Sequence, residues 1–290
     1  MTDNIAVTSH SRRDFWLCLA RAFGQPQGDE FHHAFTASLA DDLEAICDEI
    51  GLMAGEDIVA LRRDAAAIGE PVDLLRLYSK LFLAPPTPVM LNTGFYMEGG
   101  KTGQIEQELR AFIARHGLQK SESLRDFHDT VPLQLEMLAF LHARAGDHAA
   151  AGKDIEARAF VSEAEAFIAR YPARWITPFL RDLEKACSEH DLNRAYEHLG
   201  RILWLGVEQV RGGAKVQELP AGAGLPPGSA RGIGKPSAED LAEIAYRLEQ
   251  AGLAWNHVAA NEGWSDAVFA ARRARGDADE GAGVGRAATA

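Results

Sequence analysis

A long apolar stretch over residues 123–143 places the strongest constraint on how this chain can fold. Apolar side chains recur in it at steps of three or four, the period of an α-helix, and others widen the stripe beyond one face. The recurring positions are Phe127, Val131, Leu135 and Leu138. Because a helix with so broad an apolar surface is stable only when neighbours cover it, we predict one long buried helix here.

The polar residues of this stretch gather near its start. Asp129 and Thr130 are candidate N-caps, and Pro132 fits a first helical turn, where its missing N–H costs little. Carboxylates at that end also interact favourably with the helix dipole. The pattern alone leaves two interpretations open: these residues cap a core helix, or they form the acidic mouth of a binding groove.

Helical patterns without strand patterns continue along most of the chain. They begin with a first helix around Phe15 to Phe23, for which Ser11 is a possible cap. Periodicity, Pro at helix starts and Gly at helix ends predict further helices over residues 31–50, 57–68, 71–82, 104–116, 154–170, 173–188 and 191–211. We therefore predict an all-α fold, a single compact helical domain of about nine to eleven helices with a flexible C-terminal extension.

The composition divides the chain into four segments. Residues 1–211 form the predicted helical domain, and residues 212–236 are rich in glycine and proline, as in a linker or loop. A capping box begins a predicted helical extension over residues 237–275. We expect residues 276–290 to be a disordered tail.

One segment inside the helical domain is predicted to be a loop. Residues 83–103 are punctuated by prolines and glycines at short intervals, which excludes a continuous helix. The segment is nevertheless apolar, with Val89, Met90, Leu91, Phe95, Tyr96 and Met97. An apolar loop of about 20 residues is unusual in a compact domain and is often functional. We therefore expect a packed functional loop.

Charge and cysteine content exclude several classes of protein. The net charge of −12 repels nucleic acid and anionic membranes, and it either favours a basic partner or serves only solubility. The three cysteines lie far apart without a C-x-x-C pair, which fits a reducing cytosol and argues against a disulfide framework. No apolar run approaches the roughly 18 residues that span a bilayer. We expect a cytoplasmic protein without membrane insertion.

The N-terminal region contains a match to an export signal. The sequence from Ser11 to Phe15, SRRDF, fits the twin-arginine consensus. An exported chain would continue into an uninterrupted apolar stretch, but Arg21 interrupts it after FWLCLA. We interpret the segment as part of an ordinary first helix.

No motif for catalysis or metal binding is present in the sequence. The ten histidines do not fall at the i, i+4 spacing that puts two ligands on one helix face. Nucleotide-binding, hydrolase and kinase signatures are also absent. We predict no enzymatic activity, no metal and no cofactor. The alternatives are an all-helical metal- or cofactor-binding enzyme and a DNA-binding regulator acting through the C-terminal helices, whose acidic balance disfavours it.

Three sequence blocks, taken in order, resemble one protein family. They are YSKLFLAPPTPVMLNTGFYMEGG from Tyr78, ARHGL from Ala114 and RDFHDTVPLQLEMLAFL from Arg125, and an F-x-x-x-Y-P-x-x-W segment follows from Phe167. Together the blocks resemble the TorD/DmsD/NarJ family of molybdoenzyme-maturation chaperones. More narrowly, they are similar to the branch that serves enzymes of the dimethyl-sulfoxide-reductase type. The resemblance covers about residues 12–210.

The resemblance implies an all-helical protein without enzymatic activity. Family members bind the N-terminal leader, often of twin-arginine type, of an apo catalytic subunit, and hold it in the cytoplasm until the molybdenum cofactor is inserted. The same partner is implied here, with no nucleic acid, and both a monomer and a homodimer remain open. The family's Pro-Asp-His at the central helix is His128-Asp129-Thr130 in this chain, so only Asp129 carries over.

A leader peptide offers arginines followed by an apolar stretch that readily forms a helix. A complementary site needs carboxylates at its rim and an adaptable apolar trough. The predicted rim charges are Asp129 and Glu136, with Asp126 adding to them. The predicted trough residues are Tyr78, Phe82, Tyr96, Leu133 and Met137, and Pro86 and Thr130 complete the predicted peptide-binding set. For each apolar residue, simple core packing is the competing interpretation.

Overall fold

The computed structural model describes residues 2–98, 103–118 and 128–211 of the chain. The described helices belong to one compact unit, composed of Met1–Phe82 and Thr87–Gly224. The predictions made for residues 212–290, including the linker, the helical extension and the tail, lie outside the described residues.

The described part of the chain is helical, which confirms the predicted all-α class. The α-helices are α1 (Thr2–Ala22), α2 (Gly28–His33), α3 (Leu39–Ile50), α4 (Gly55–Ala66), α5 (Pro71–Phe82), α6 (Gly94–Glu98), α7 (Gln104–Arg115), α8 (Val131–Ala150), α9 (Asp154–Arg170), α10 (Pro172–Glu189) and α11 (Ala195–Val210), with a π-helical turn at Ala34–Ser38. Within the described ranges, β pairing is limited to one isolated bridge between Asn92 and Thr130. No described helix combines the length and hydropathy that a bilayer-spanning segment requires.

The central helix differs from its predicted bounds. It starts at Val131, because Thr130 is extended (φ −74°, ψ 149°) and pairs with Asn92, so it cannot continue a helix backward. Pro132 lies in the first turn, as predicted. The helix continues to Ala150 instead of ending at residue 143. His128 to Thr130 are therefore not helical, contrary to the prediction of a helix over residues 123–143. Residues 119–127 lie outside the described residues.

Three further local predictions need correction. The loop over residues 83–103 contains the short helix α6, which begins just after Thr93, so the segment is not wholly non-helical. Helix α1 begins at Thr2, so Ser11 is not its cap; the Ser11 hydroxyl donates to the carbonyl of Val7 within the helix. The helix predicted from residue 191 begins at Ala195, since the Asn193 side chain accepts the Ala195 N–H (2.9 Å).

Helices α1 and α8 form the central pair of the core. They run antiparallel, because His10 meets Gly146 near one end and Arg21 faces Glu136 near the other. The twin-arginine-like segment lies inside α1, where Ser11 and Phe15 are buried. Burial of these side chains is what an ordinary core helix requires.

A cluster of aromatic rings joins the other elements to this pair. Tyr196 of α11 is fully buried at its centre, with the rings of Phe23, Phe35, Tyr78 and Phe82 between 5.2 and 6.0 Å away. These residues come from α5, α11, the π-helical turn and the segment just after α1. Their contacts therefore give the domain one continuous core instead of separate helical hairpins.

Gly206 of α11 is required by the close approach of α1. A Cβ atom there would lie 2.5 Å from Cε1 of Phe15, a ring that is itself buried and cannot swing aside. We expect Gly206→Ala to lower the free energy of unfolding by roughly 1–3 kcal/mol through overpacking, measured by urea denaturation. Gly55→Ala is the matched control, since no atom lies within 4 Å of its added Cβ. Equal stability of the two variants would contradict this packing.

Candidate functional site

The loop after α5 is joined to the start of α8 by backbone hydrogen bonds. The N–H of Thr93 donates to the carbonyl of Asp129 (2.8 Å), and the N–H of Val131 donates to the carbonyl of Leu91 (2.9 Å). These bonds flank the bridge between Asn92 and Thr130. The loop is thus held in place by a short β-like junction, which the helical pattern of the sequence does not indicate.

The Asp129 carboxylate completes this junction from within. One oxygen accepts from Asn92 Nδ2 and the other from the N–H of Gly94, both at 3.0 Å. The residue is only 5% exposed. A Cβ at Gly94 would lie 2.8 Å from Asp129 Oδ2, so the close approach requires glycine. Asp129 therefore fixes the start of α6 relative to α8.

A buried chain of polar side chains extends inward from the same junction. The Thr93 hydroxyl donates to the carbonyl of Asp129 (2.8 Å) and accepts from Gln134 Nε2. The indole N–H of Trp175 in turn donates to Gln134 Oε1 (2.9 Å). Buried polar groups that are all paired rigidify a core and specify one arrangement. The junction is therefore a stiff support that links the loop, α8 and α10.

The outward side of the loop is an apolar surface. We define the loop surface as Met90, Leu91, Phe95 and Met97, which are all at least partly exposed, with Phe95 at 37%. Behind it lies Tyr96, whose ring contacts those of Phe95 (5.3 Å) and Phe179 (6.1 Å) edge-on. Flexible methionines around an exposed aromatic ring form a surface that adapts to varied apolar partners.

A half-buried carboxylate lies next to the loop surface. The hydroxyl of Tyr96 accepts from the N–H of Met90 (3.1 Å) and makes a hydrogen-bonding interaction with Asp182 of α10. Desolvation by burial raises the pKa of Asp182, and the hydrogen bond from Tyr96 only partly opposes this shift. Burial likewise raises the pKa of Tyr96 above its usual range. A cation beside Asp182 would relieve its cost of desolvation.

A hydrogen bond between His128 and Glu106 ties α7 to the residue before Asp129. His128 Nδ1 lies 3.0 Å from Glu106 Oε1, and Arg110 lies 2.9 Å from the same carboxylate oxygen. The pKa of Glu106 is lowered chiefly by the hydrogen bond from His128. The histidine next to Asp129 therefore has a partner within the protein and serves the scaffold.

Four residues of the predicted trough are buried in the core. Tyr78 belongs to the aromatic cluster, where its hydroxyl donates to the carbonyl of Phe23 (3.3 Å), and Phe82 packs against it at 4.9 Å. Leu133 and Met137 are 9% and 3% exposed on α8. These side chains do not line an open groove, because neighbouring helices cover the faces on which they lie. Tyr96 alone of the trough set adjoins the loop surface, through its contact with Phe95.

The predicted polar set is divided between the scaffold and the surface. Asp129 and Thr130 are buried in the junction, so Asp129 does not stand on an exposed rim. Glu136 is exposed on α8; its pKa is raised by desolvation, with Arg21 opposing the shift. Pro86 is exposed in the Leu83–Pro86 segment, and Asp126 lies outside the described residues. Peptide contact by any of these residues stays a prediction.

Several residues of the site escaped the sequence-based prediction. Gln134 carried a usable signal, since a polar residue inside a broad apolar stripe indicates a buried hydrogen bond. Asp182 carried no such signal, because in sequence it resembles any surface acid of an amphipathic helix.

Within the described ranges, no three His, Cys, Asp or Glu side chains come together as a potential metal-ligand set.

Comparison with known proteins shows one family match over the middle of the chain. Residues 36–181 match the family model described as nitrate reductase delta subunit, which spans half of the chain. The matched stretch includes the junction around Asp129 and ends one residue before Asp182. A comparison with curated proteins gives no match.

Proposed function

Because the chain belongs to the nitrate reductase delta subunit family, the chaperones that support molybdoenzyme maturation, we propose that it binds the N-terminal leader of an apo-molybdoenzyme catalytic subunit. The client is of the dimethyl-sulfoxide-reductase type, and binding takes place in the cytoplasm. The protein acts by holding the leader, without catalysing a reaction, until the molybdenum cofactor has been inserted and export can proceed.

The loop surface is the observation that carries this proposal. Met90, Leu91, Phe95 and Met97 expose apolar area on a segment that Asp129 anchors to the start of α8. Leaders differ in sequence but share an apolar stretch, and exposed apolar anchors supply most of the affinity of such a contact. A rigid support lowers the entropy lost on binding. Glu136 and Asp182 add negative charge for the basic part of the leader.

The first test is recovery of the client. A tagged copy of the protein is purified from its native cytoplasm under conditions in which the molybdenum cofactor is depleted, and co-purifying chains are identified by mass spectrometry. We expect an apo catalytic subunit of a molybdoenzyme. A synthetic peptide of its N-terminal leader should then bind with roughly micromolar or tighter affinity in a calorimeter. A leader peptide that does not bind contradicts the proposal.

The second test places the contact at the loop surface. We expect Phe95→Ser to weaken leader binding at least tenfold, because it removes the most exposed aromatic anchor of the surface. Met53→Ser is the matched control, as Met53 is 91% exposed on the segment before α4. Calorimetric titration of both variants with the leader peptide provides the comparison. If both substitutions weakened binding equally, or if neither weakened it, the contact would lie elsewhere.

A further inference from the structure

Asp182 is a half-buried carboxylate without an ion-pair partner among the described residues. Other acids near the junction are engaged: Asp129 accepts from Asn92 and Gly94, and Glu106 pairs with His128 and Arg110. Lys185 and Arg181 of the same helix act on Asp182 only through longer-range attraction. Because a partly buried charge without a counter-ion is costly, Asp182 has more to gain from an external cation than these paired acids.

The hydrogen bonds around Tyr96 connect this carboxylate to the loop surface. The phenol oxygen accepts the N–H of Met90, so its single proton is free to point to Asp182. The other side of the Tyr96 ring contacts Phe95. Only the Tyr96 side chain therefore separates Asp182 from Met90 and Phe95, two members of the loop surface. A ligand lying on the loop surface can reach the carboxylate with a long side chain.

We propose that Asp182, oriented by Tyr96, binds a basic side chain of a peptide whose neighbouring apolar residues lie on the loop surface. The inference rests on the proposed function and makes it more specific. The occupant is an arginine- or lysine-bearing amphipathic segment of a partner protein. Charge complementarity favours this occupant, since a carboxylate with no ion-pair partner in the described ranges adjoins apolar area on a chain of net charge −12. A neutral apolar peptide would leave Asp182 uncompensated.

Asp182→Asn is a substitution that tests the charge and spares the fold. The amide oxygen of asparagine can still accept from the Tyr96 hydroxyl, so the support of the loop is retained. The probe is the synthetic leader peptide of the recovered catalytic subunit, together with variants in which each arginine or lysine is replaced by glutamine. Asp48→Asn is the matched control, an exposed acid on α3, which packs against α1 and α4.

We expect Asp182→Asn to weaken binding of the unmodified peptide about tenfold and to reduce the salt dependence of the affinity. One glutamine peptide should bind the wild type about tenfold more weakly than the unmodified peptide does. The same glutamine peptide and the unmodified peptide should bind the Asp182→Asn variant with equal affinity, as expected when the replaced residue pairs directly with Asp182. Asp48→Asn should change neither quantity. Thermal unfolding of each variant checks that the fold is intact.

The possible failures can be told apart. If the unmodified peptide does not bind the wild type at all, both the proposed function and this inference are overturned. If it binds and Phe95→Ser weakens it, while Asp182→Asn binds as tightly as the wild type, the inference fails and the proposed function stands. The inference would also be overturned if, for every glutamine peptide, the loss of binding free energy added to that of Asp182→Asn, since no direct pair would then exist.

Discussion

Acidification is expected to destabilise this protein steeply below pH 6.5, and replacing His142 by leucine is expected to remove that loss. His142 of α8 is 1% exposed, and neither ring nitrogen has a hydrogen-bond partner within the described part of the chain. Burial is the main cause that lowers its pKa to about 3, and the positive charge of Arg12 on α1 adds to the shift. The ring is therefore neutral in the folded protein well below the pH at which a free histidine is protonated.

The sign of the effect follows from proton uptake. An unfolded histidine binds a proton as the pH falls through about 6.5, whereas the folded protein keeps His142 neutral down to about pH 3. Stability is therefore complete above pH 6.5 and is lost progressively between these two values. The loss amounts to about 1.4 kcal/mol per pH unit, or roughly 5 kcal/mol over the whole window.

Urea unfolding between pH 7.5 and 4.5 measures this dependence. His142→Leu should flatten the curve in the acid range. It should not lower stability at pH 7.5, because it removes two buried nitrogens for which the described residues supply no hydrogen-bond partner. Leu141→Val, at the preceding and equally buried position, is the control: it should lower stability by a similar amount at every pH. A His142→Leu curve parallel to the wild type would contradict the prediction.

Asp129→Ala is expected to lower the free energy of unfolding by about 3 kcal/mol. The substitution leaves the N–H of Gly94 and the amide of Asn92 without their acceptors, and an unpaired buried donor costs about 1–3 kcal/mol. It also removes the side-chain link between the start of α6 and α8, while the backbone bonds of the junction remain. Chemical denaturation gives the change directly, and amide hydrogen exchange should show faster exchange at Gly94 and Thr93.

Two controls distinguish a scaffold role of Asp129 from a surface role. Asp129→Asn keeps an oxygen for one of the two donors, so its stability should fall between those of wild type and Asp129→Ala. Glu136→Ala, on the exposed side of the same region, should stay within about 0.5 kcal/mol of the wild type. If Asp129→Ala kept full stability and lost only peptide binding, the buried position described for its carboxylate would be wrong.

Sequence-based reasoning succeeded where structure depends on near neighbours. The periods of three and four, with Pro71 at a helix start and Gly51 in a left-handed helix cap, located most helices to within a few residues. The apolar composition of residues 83–103 also marked that segment as unusual, and the loop surface lies within it. These signals are local, because helical hydrogen bonds and caps join residues only a few positions apart.

Tertiary structure alone decided which residues form the scaffold and which face outward. Asp129 was assigned to a rim because an acid near a helix start resembles a surface group, yet Asn92 and Gly94, more than thirty positions away, enclose it. Tyr78 and Phe82 belong to the core because Tyr196 packs against them. Periodicity carries no information about such distant partners.

By itself, the sequence determined that this protein is helical, acidic and organised around an apolar central helix, since each of these properties follows from residue type and spacing. Only the fold decided that Met90, Leu91, Phe95 and Met97 form a partly exposed apolar surface beside the carboxylate of Asp182. The reason is physical: burial depends on what packs against a side chain, and those contacts join α5, α6, α8, α10 and α11 across the whole domain.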